Sequence, residues 1–182
     1  RIMKNSSLVT RHSSLLPCPV FIGGEWKEIS GLETTPVYNP SRGEVISEVP
    51  LCGADVVNDA VNAAADAFPA WRDTPAVERA RLFFRYRQLV EENFERVCEM
   101  VAREHGKTLA EARGSAYRGL ENIEYACGIP TLLRGDTLEN LARGGGCETM
   151  HPPLGVCVGI TPYTSPPLGH VRLCPVALAC RP

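Results

Sequence analysis

The stretch Pro153-Leu-Gly-Val-Cys-Val-Gly-Ile-Thr-Pro-Tyr163 constrains the fold more than any other part of this chain. Its apolar residues run without polar alternation from Val156 to Ile160, the pattern of a strand covered on both faces, and Pro162 punctuates the loop that follows. Strands of that kind belong to parallel sheets flanked by helices, and α/β folds bind their ligands where such strands end. A parallel strand cannot stand alone. The expectation is therefore an α/β fold with part of its parallel sheet still to come after Tyr163.

The residues before this strand set up the layer it would join. Val20-Phe-Ile-Gly-Gly-Glu-Trp-Lys27 places two β-prone runs around Gly23-Gly24, a dipeptide that tolerates the positive φ of a tight hairpin turn. A second hairpin is predicted over Val37–Ile46, with Asn39-Pro40 and Gly43 as turn formers. The period then changes. Val57, Ala60, Val61, Ala64, Ala67 and Phe68 fall on one helical face, with Asp55 as the expected cap. Thr74-Pro75 is expected to open a second helix that runs to about His105, where Gly106 stops it. A third helix is expected from about Leu109 to Cys127, ended by Gly128 and Pro130. From Thr131 to Pro153 periodicity fades, and Gly144-Gly145-Gly146 reads as a turn, since a phosphate-binding glycine loop would lie between a strand and a helix.

Composition narrows the function classes. Nineteen Lys and Arg against 21 Asp and Glu give a net charge of -2, which provides no basic field for nucleic acid and no polybasic membrane patch. No apolar run approaches the ~20 residues of a membrane-spanning helix. The eight cysteines, at 18, 52, 98, 127, 147, 157, 174 and 180, contain no C-x-x-C pair and no adjacent His spacing, so zinc and a disulfide framework are both disfavoured. Such thiols fit a reducing compartment. Cys157, Cys98, Cys127, Cys174 and Cys180 read as structural, the first of them buried in mid-strand. His12, His105, His151 and His170 form no pair at ligand spacing. Arg79, Arg81, Arg85 and Arg87 interleave with Glu78, Glu91 and Glu92, the composition of a solvated helix face. Residues 1–19 are basic, rich in serine and free of acids. They read as a disordered tail, with an organelle transit segment as the alternative.

Five motifs carry a family resemblance: Phe21-Ile-Gly-Gly-Glu-Trp26; Asn39-Pro40 with Gly43-Glu-Val-Ile46; Ala67-Phe-Pro-Ala-Trp71; Glu104-His-Gly-Lys-Thr108 with Glu111-Ala112; and Pro153-Leu-Gly-Val156. Their order and spacing resemble the aldehyde dehydrogenase superfamily over about residues 20–162. Phe68-Pro-Ala-Trp71, Tyr117-Arg-Gly-Leu120, Glu124-Tyr-Ala-Cys127 and Pro153-Leu-Gly-Val-Cys157 look most like its CoA-acylating methylmalonate-semialdehyde dehydrogenases. The resemblance implies that residues 20–182 are the amino-terminal part of an NAD-binding domain, with about 137–150 belonging to an oligomerisation hairpin. It implies NAD as the family's cofactor, bound weakly or not at all by this chain alone, CoA as co-substrate, a semialdehyde substrate, and a homo-oligomer when complete. The location would be cytoplasmic, or mitochondrial if the tail is a transit segment.

Enzymes of this family form a thiohemiacetal on a cysteine and release the acyl group to water or CoA after hydride transfer. By the resemblance, Ile160, Thr161, Pro162 and Tyr163 face the cofactor. Thr164 stands where the family has an Asn whose amide helps hold the oxyanion, and Ser165 follows it in place of an aromatic. The family's cofactor-binding lysine, glycine-bearing NAD loop, general-base glutamate and nucleophilic cysteine would all lie after Pro182. Two readings stay open: a fragment of a semialdehyde dehydrogenase, or a truncated, non-catalytic paralogue that at most binds intact subunits.

Overall fold

A computed structural model describes residues 18–163 and 168–180. The tail up to residue 17 and Thr164 lie outside the described residues. Two units are present, one ending at Ala60 and the other beginning at Val61.

The first unit is built from two antiparallel hairpins. Strands β1 (Val20–Ile22) and β2 (Glu25–Lys27) are joined by Gly23 and Gly24, both at positive φ (64° and 84°), as the two-residue turn requires. In the second hairpin, β3 (Thr34–Asn39) pairs with β4 (Glu44–Pro50), with an irregularity between Val37 and Tyr38. Asn39 explains the turn chemistry. Its side-chain Oδ1 accepts from the Ser41 amide at 3.0 Å, and its carbonyl accepts from the Arg42 and Gly43 amides, so the predicted turn formers are the ones used.

Helix α1 (Ala54–Asp73) runs across the boundary between the units. Asp55 lies inside its first turn rather than at the cap, because the helix already begins at Ala54. None of its residues is buried, and Val57 and Val61 stay 54% and 38% exposed, so the predicted apolar face is largely uncovered.

The second unit is helical. The predicted long helix is two: α2 (Ala76–Glu92) and α3 (Phe94–His105), broken at Asn93, whose side-chain Nδ2 donates to the Leu89 carbonyl at 2.8 Å. Thr74 does not cap α2. Its hydroxyl donates back to the Ala70 carbonyl at 2.9 Å, and the α2 amides of Glu78 and Arg79 donate to the Pro75 carbonyl instead. At the other end Gly106 takes the left-handed conformation (φ 79°) expected of a helix stop. Helix α4 (Leu109–Cys127) starts on a reciprocal cap: Thr108 accepts from the Glu111 amide while Glu111 accepts from the Thr108 amide. These bonds from the Thr108 hydroxyl and amide hold the Glu111 carboxyl below its ordinary range. A short helix α5 (Ile129–Leu132) and helix α6 (Leu168–Ala179) complete its helices.

Helices α2, α4 and α6 enclose the main core: Ala80 and Phe83, Ile123 and Ala126, and Val171 and Ala179, with Ile129 of α5. A second core joins Cys98 and Val101 of α3 to Ala112 and Ala116 of α4. Ion pairs tie the same helices at their rims, Arg87 to Glu124 and Arg113 to Glu95, both at 2.8 Å.

Between α5 and α6 the weakly periodic region forms a hairpin, β5 (Thr137–Ala142) and β6 (Gly145–Glu148). Gly144 supplies the turn at φ 76°, whereas Gly145 and Gly146, read from the sequence as part of the same turn, belong to β6. The polar residues of both strands hid them from periodicity alone. A register irregularity falls between Leu138 and Ala142, where Asn140 adopts φ 53°. At the base of the hairpin Gly135 is sterically required, since a Cβ there would overlap the Thr149 carbonyl oxygen.

Candidate functional site

The predicted strand Val156–Ile160 is not a strand among the described residues: it runs without ladder partners, and Val158 and Ile160 are 80% and 91% exposed. An apolar run of this kind needs parallel neighbours on both sides, and every described pairing is an antiparallel hairpin. Gly155–Gly159 instead forms one wall of an apolar groove of about 430 Å³. Ala64, Ala67, Phe68 and Trp71 of α1 line it too, and Leu173, Cys174, Ala177 and Leu178 of α6 supply the rest. Cys157 is thus exposed rather than buried in mid-strand.

A glycine lets α6 approach this segment: a Cβ on Gly169 would stand 2.7 Å from the Thr161 Cβ, whereas one on Gly159 would make only ordinary contact with the Leu173 side chain at 3.4 Å. The side chain of Thr161 therefore occupies space that a larger residue at 169 would claim. Just beyond it, the Tyr163 hydroxyl reaches the end of α3, 3.3 Å from the Glu104 carbonyl oxygen and 3.1 Å from its Oε2. The Tyr163 and His105 rings lie nearly parallel, 6.3 Å between centroids and 20° apart. Partial burial, then the charge and hydrogen bond of Glu104, push the Tyr163 phenol up to about 12. His105 Nδ1 is buried there without a hydrogen-bond partner.

Four of the five predicted site residues are thereby placed: Ile160, Thr161, Pro162 and Tyr163 form one continuous stretch between α3 and α6, and Thr164 lies outside the described residues. The sequence reading did not foresee Glu104, His105 or Gly169 beside them. The Glu104-His-Gly-Lys-Thr108 motif was visible, but nothing in its spacing said which segment it would meet.

The remaining groups are structural. Arg79 overturns its reading as part of a solvated face: it is 1% exposed, with Nε donating to the Ala179 carbonyl at 3.0 Å and Nη1 donating to the Thr74 carbonyl. Trp71 Nε1 donates to the neighbouring Leu178 carbonyl at 2.9 Å. Together they satisfy carbonyls that the last turn of α6 leaves without helical partners. Burial pushes the Cys98 and Cys127 thiols up, the opposite of what a nucleophile needs. No three His, Cys, Asp or Glu side chains among the described residues are grouped to hold a metal, and no described helix is long and apolar enough to cross a membrane.

Ile160 and Tyr163 leave apolar surface uncovered, while no Lys or Arg lies within Val156–Tyr163 to meet the phosphates of a dinucleotide.

Comparison with known proteins defines the class. A sequence profile of the Aldehyde dehydrogenase family matches residues 26–181, and the chain belongs to that family. It is 42% identical over 160 residues to malonate-semialdehyde dehydrogenase 1 of Geobacillus kaustophilus, covering 88% of this chain and 33% of that one. Among solved structures it is similar to methylmalonate-semialdehyde dehydrogenase from Oceanimonas doudoroffii (TM-score 0.85, 36% identity, 90% of this chain and 33% of that one). It is also similar to a putative methylmalonate-semialdehyde dehydrogenase from Sinorhizobium meliloti complexed with NAD (TM-score 0.82, 34% identity, 88% and 33%). The chain spans about a third of the length of these relatives.

Proposed function

We propose that this chain is the amino-terminal part of the NAD-binding domain of an aldehyde dehydrogenase that converts malonate or methylmalonate semialdehyde to an acyl-CoA. The observation that carries this reading is the stretch Ile160–Tyr163, which combines the family's sequence register with an uncovered apolar surface held between α3 and α6. In the proposed enzyme Ile160 and Tyr163 shelve the nucleoside portion of NAD, and Thr161 is fixed by its packing on Gly169. The cofactor supplies a hydride acceptor. The exposed hairpin β5–β6 is proposed as part of the surface through which subunits associate. Cytoplasmic location remains the reading of the thiol pattern, with mitochondria the alternative if the basic tail is a transit segment.

The test is product identity. This chain, joined in register after Cys180 to the remaining two thirds of the Geobacillus kaustophilus enzyme, is expected to form malonyl-CoA, or acetyl-CoA with release of one CO2, from malonate semialdehyde and CoA, with one NADH appearing per thioester. Formation of free acid alone, unchanged by CoA, would contradict the acylating assignment. Thr164 in place of the family's Asn favours a second reading, a non-catalytic paralogue whose role is association with intact subunits. A joined chain that binds NAD yet makes no product from any semialdehyde would support it.

A further inference from the structure

The carboxyl end of α3 carries a contact that no part of the proposed chemistry uses. The last four carbonyls of a helix have no helical partner. Here the Gly106 amide takes Ala102, and the Thr108 amide, which would have served Glu104, donates to the Glu111 carboxylate in the cap of α4 instead. Glu104 therefore ends α3 with both a spare backbone oxygen and a carboxylate, at the helix end where negative charge is disfavoured. A donor is needed, and the Tyr163 hydroxyl is the one that arrives, shared between the Glu104 carbonyl at 3.3 Å and Oε2 at 3.1 Å. The phenol ring is backed by His105. The contact spans 59 residues of sequence, and at neutral pH the phenol keeps its proton, so the donor is always available.

We infer that Glu104 is a positioning residue: by accepting the Tyr163 hydroxyl it fixes the backbone of Ile160–Tyr163 in the conformation that presents this stretch to a ligand. The reasoning rests on the proposed function only for what that ligand is. The ordering of the stretch stands on the geometry alone. A phenylalanine at 163 would keep the ring contact with His105 and lose the tether, and a glutamine at 104 would keep both acceptors.

Backbone order parameters of the 182-residue chain without nucleotide, read at the Ile160, Thr161 and Tyr163 amides against Ile123 and Ala126 in the α4 core, test this. Tyr163→Phe is expected to lower the order parameters of the stretch from the range of rigid backbone to below about 0.6, with the α4 core unchanged. Glu104→Ala, which keeps the backbone acceptor and loses only Oε2, is expected to fall between Tyr163→Phe and the parent, and Glu104→Gln is expected to match the parent. Equal order parameters in Tyr163→Phe and parent overturn the inference, and so does a Glu104→Gln variant as loose as Glu104→Ala, which would make charge rather than the acceptor responsible. Should Glu104→Ala fail to fold, the Tyr163→Phe and Glu104→Gln pair decides alone. Because no nucleotide is present, these outcomes do not depend on the dehydrogenase reading. If that reading fails while the pattern of order parameters holds, joined chains would show the tether without NAD binding.

Discussion

Replacing Thr164 by Asn in the joined enzyme is expected to raise the acylation rate about ten- to a thousandfold. By family resemblance this position supplies a side-chain amide that, with the backbone N–H of the nucleophilic cysteine, holds the thiohemiacetal oxyanion. Threonine brings one rotatable hydroxyl on a shorter stem. Losing one such donor typically costs ~10²–10³ in rate, up to ~4 kcal/mol, and whatever the hydroxyl recovers shortens the gap. Affinity for NAD is expected to change little, because the adjoining Ile160–Tyr163 is unaltered. The burst of NADH formation before steady state reads the step directly. Equal bursts for the Thr164 enzyme and its Thr164→Asn variant would show that the loop is aligned wrongly and that position 164 does not face the oxyanion.

The largest expected effect on stability is at Arg79. Its guanidinium is enclosed where the α1–α2 turn, α2 and the end of α6 meet, and it donates to carbonyls from two of those elements. Arg79→Met keeps most of the apolar stem and removes the donors, leaving the Ala179 and Thr74 carbonyls enclosed without them. Hydrogen bonds from a charged donor are worth ~1.5–3 kcal/mol each, and an orphaned buried acceptor costs ~1–3 kcal/mol. A loss of about 3 kcal/mol is expected, read as a lower urea midpoint at unchanged slope. Arg81→Met, two residues on and exposed, is expected to cost under about 0.5 kcal/mol. Matching midpoints for the two variants would mean that Arg79 does not hold α6 in place.

What the sequence made legible was local chemistry. Gly23-Gly24, Asn39 with Gly43, Gly106 and the Thr108–Glu111 cap each act through atoms a few residues away, so their patterns translate directly into turns and helix ends. Distant partners were invisible. Arg79 reads as a surface charge until α6 delivers its last carbonyls 100 residues later. The α2–α3 break at Asn93 interrupts an apolar stripe that keeps its period across it, and only the Asn93 side chain's bond to Leu89 marks the place. Val156–Ile160 shows the reverse error. Its composition reflects neighbours on both faces, and without described strands beside it the run lies open. The stretch proposed to face the cofactor was read from the family register, whereas its support by Glu104 and Gly169 comes from side-chain and backbone contacts that spacing does not encode.

The central proposal, that Ile160–Tyr163 faces the dinucleotide, is tested most directly by titrating NAD into the joined enzyme and its Ile160→Asp variant. Ile160 is 91% exposed in the described chain, and an unchanged urea midpoint of the joined variant separates a loss of affinity caused by the ligand's position from one caused by packing against the joined strands. A carboxylate set beside an anionic dinucleotide in a partly desolvated cleft is expected to weaken NAD binding at least tenfold, ~1.4 kcal/mol or more. An unchanged dissociation constant would contradict the placement of the cofactor against this stretch.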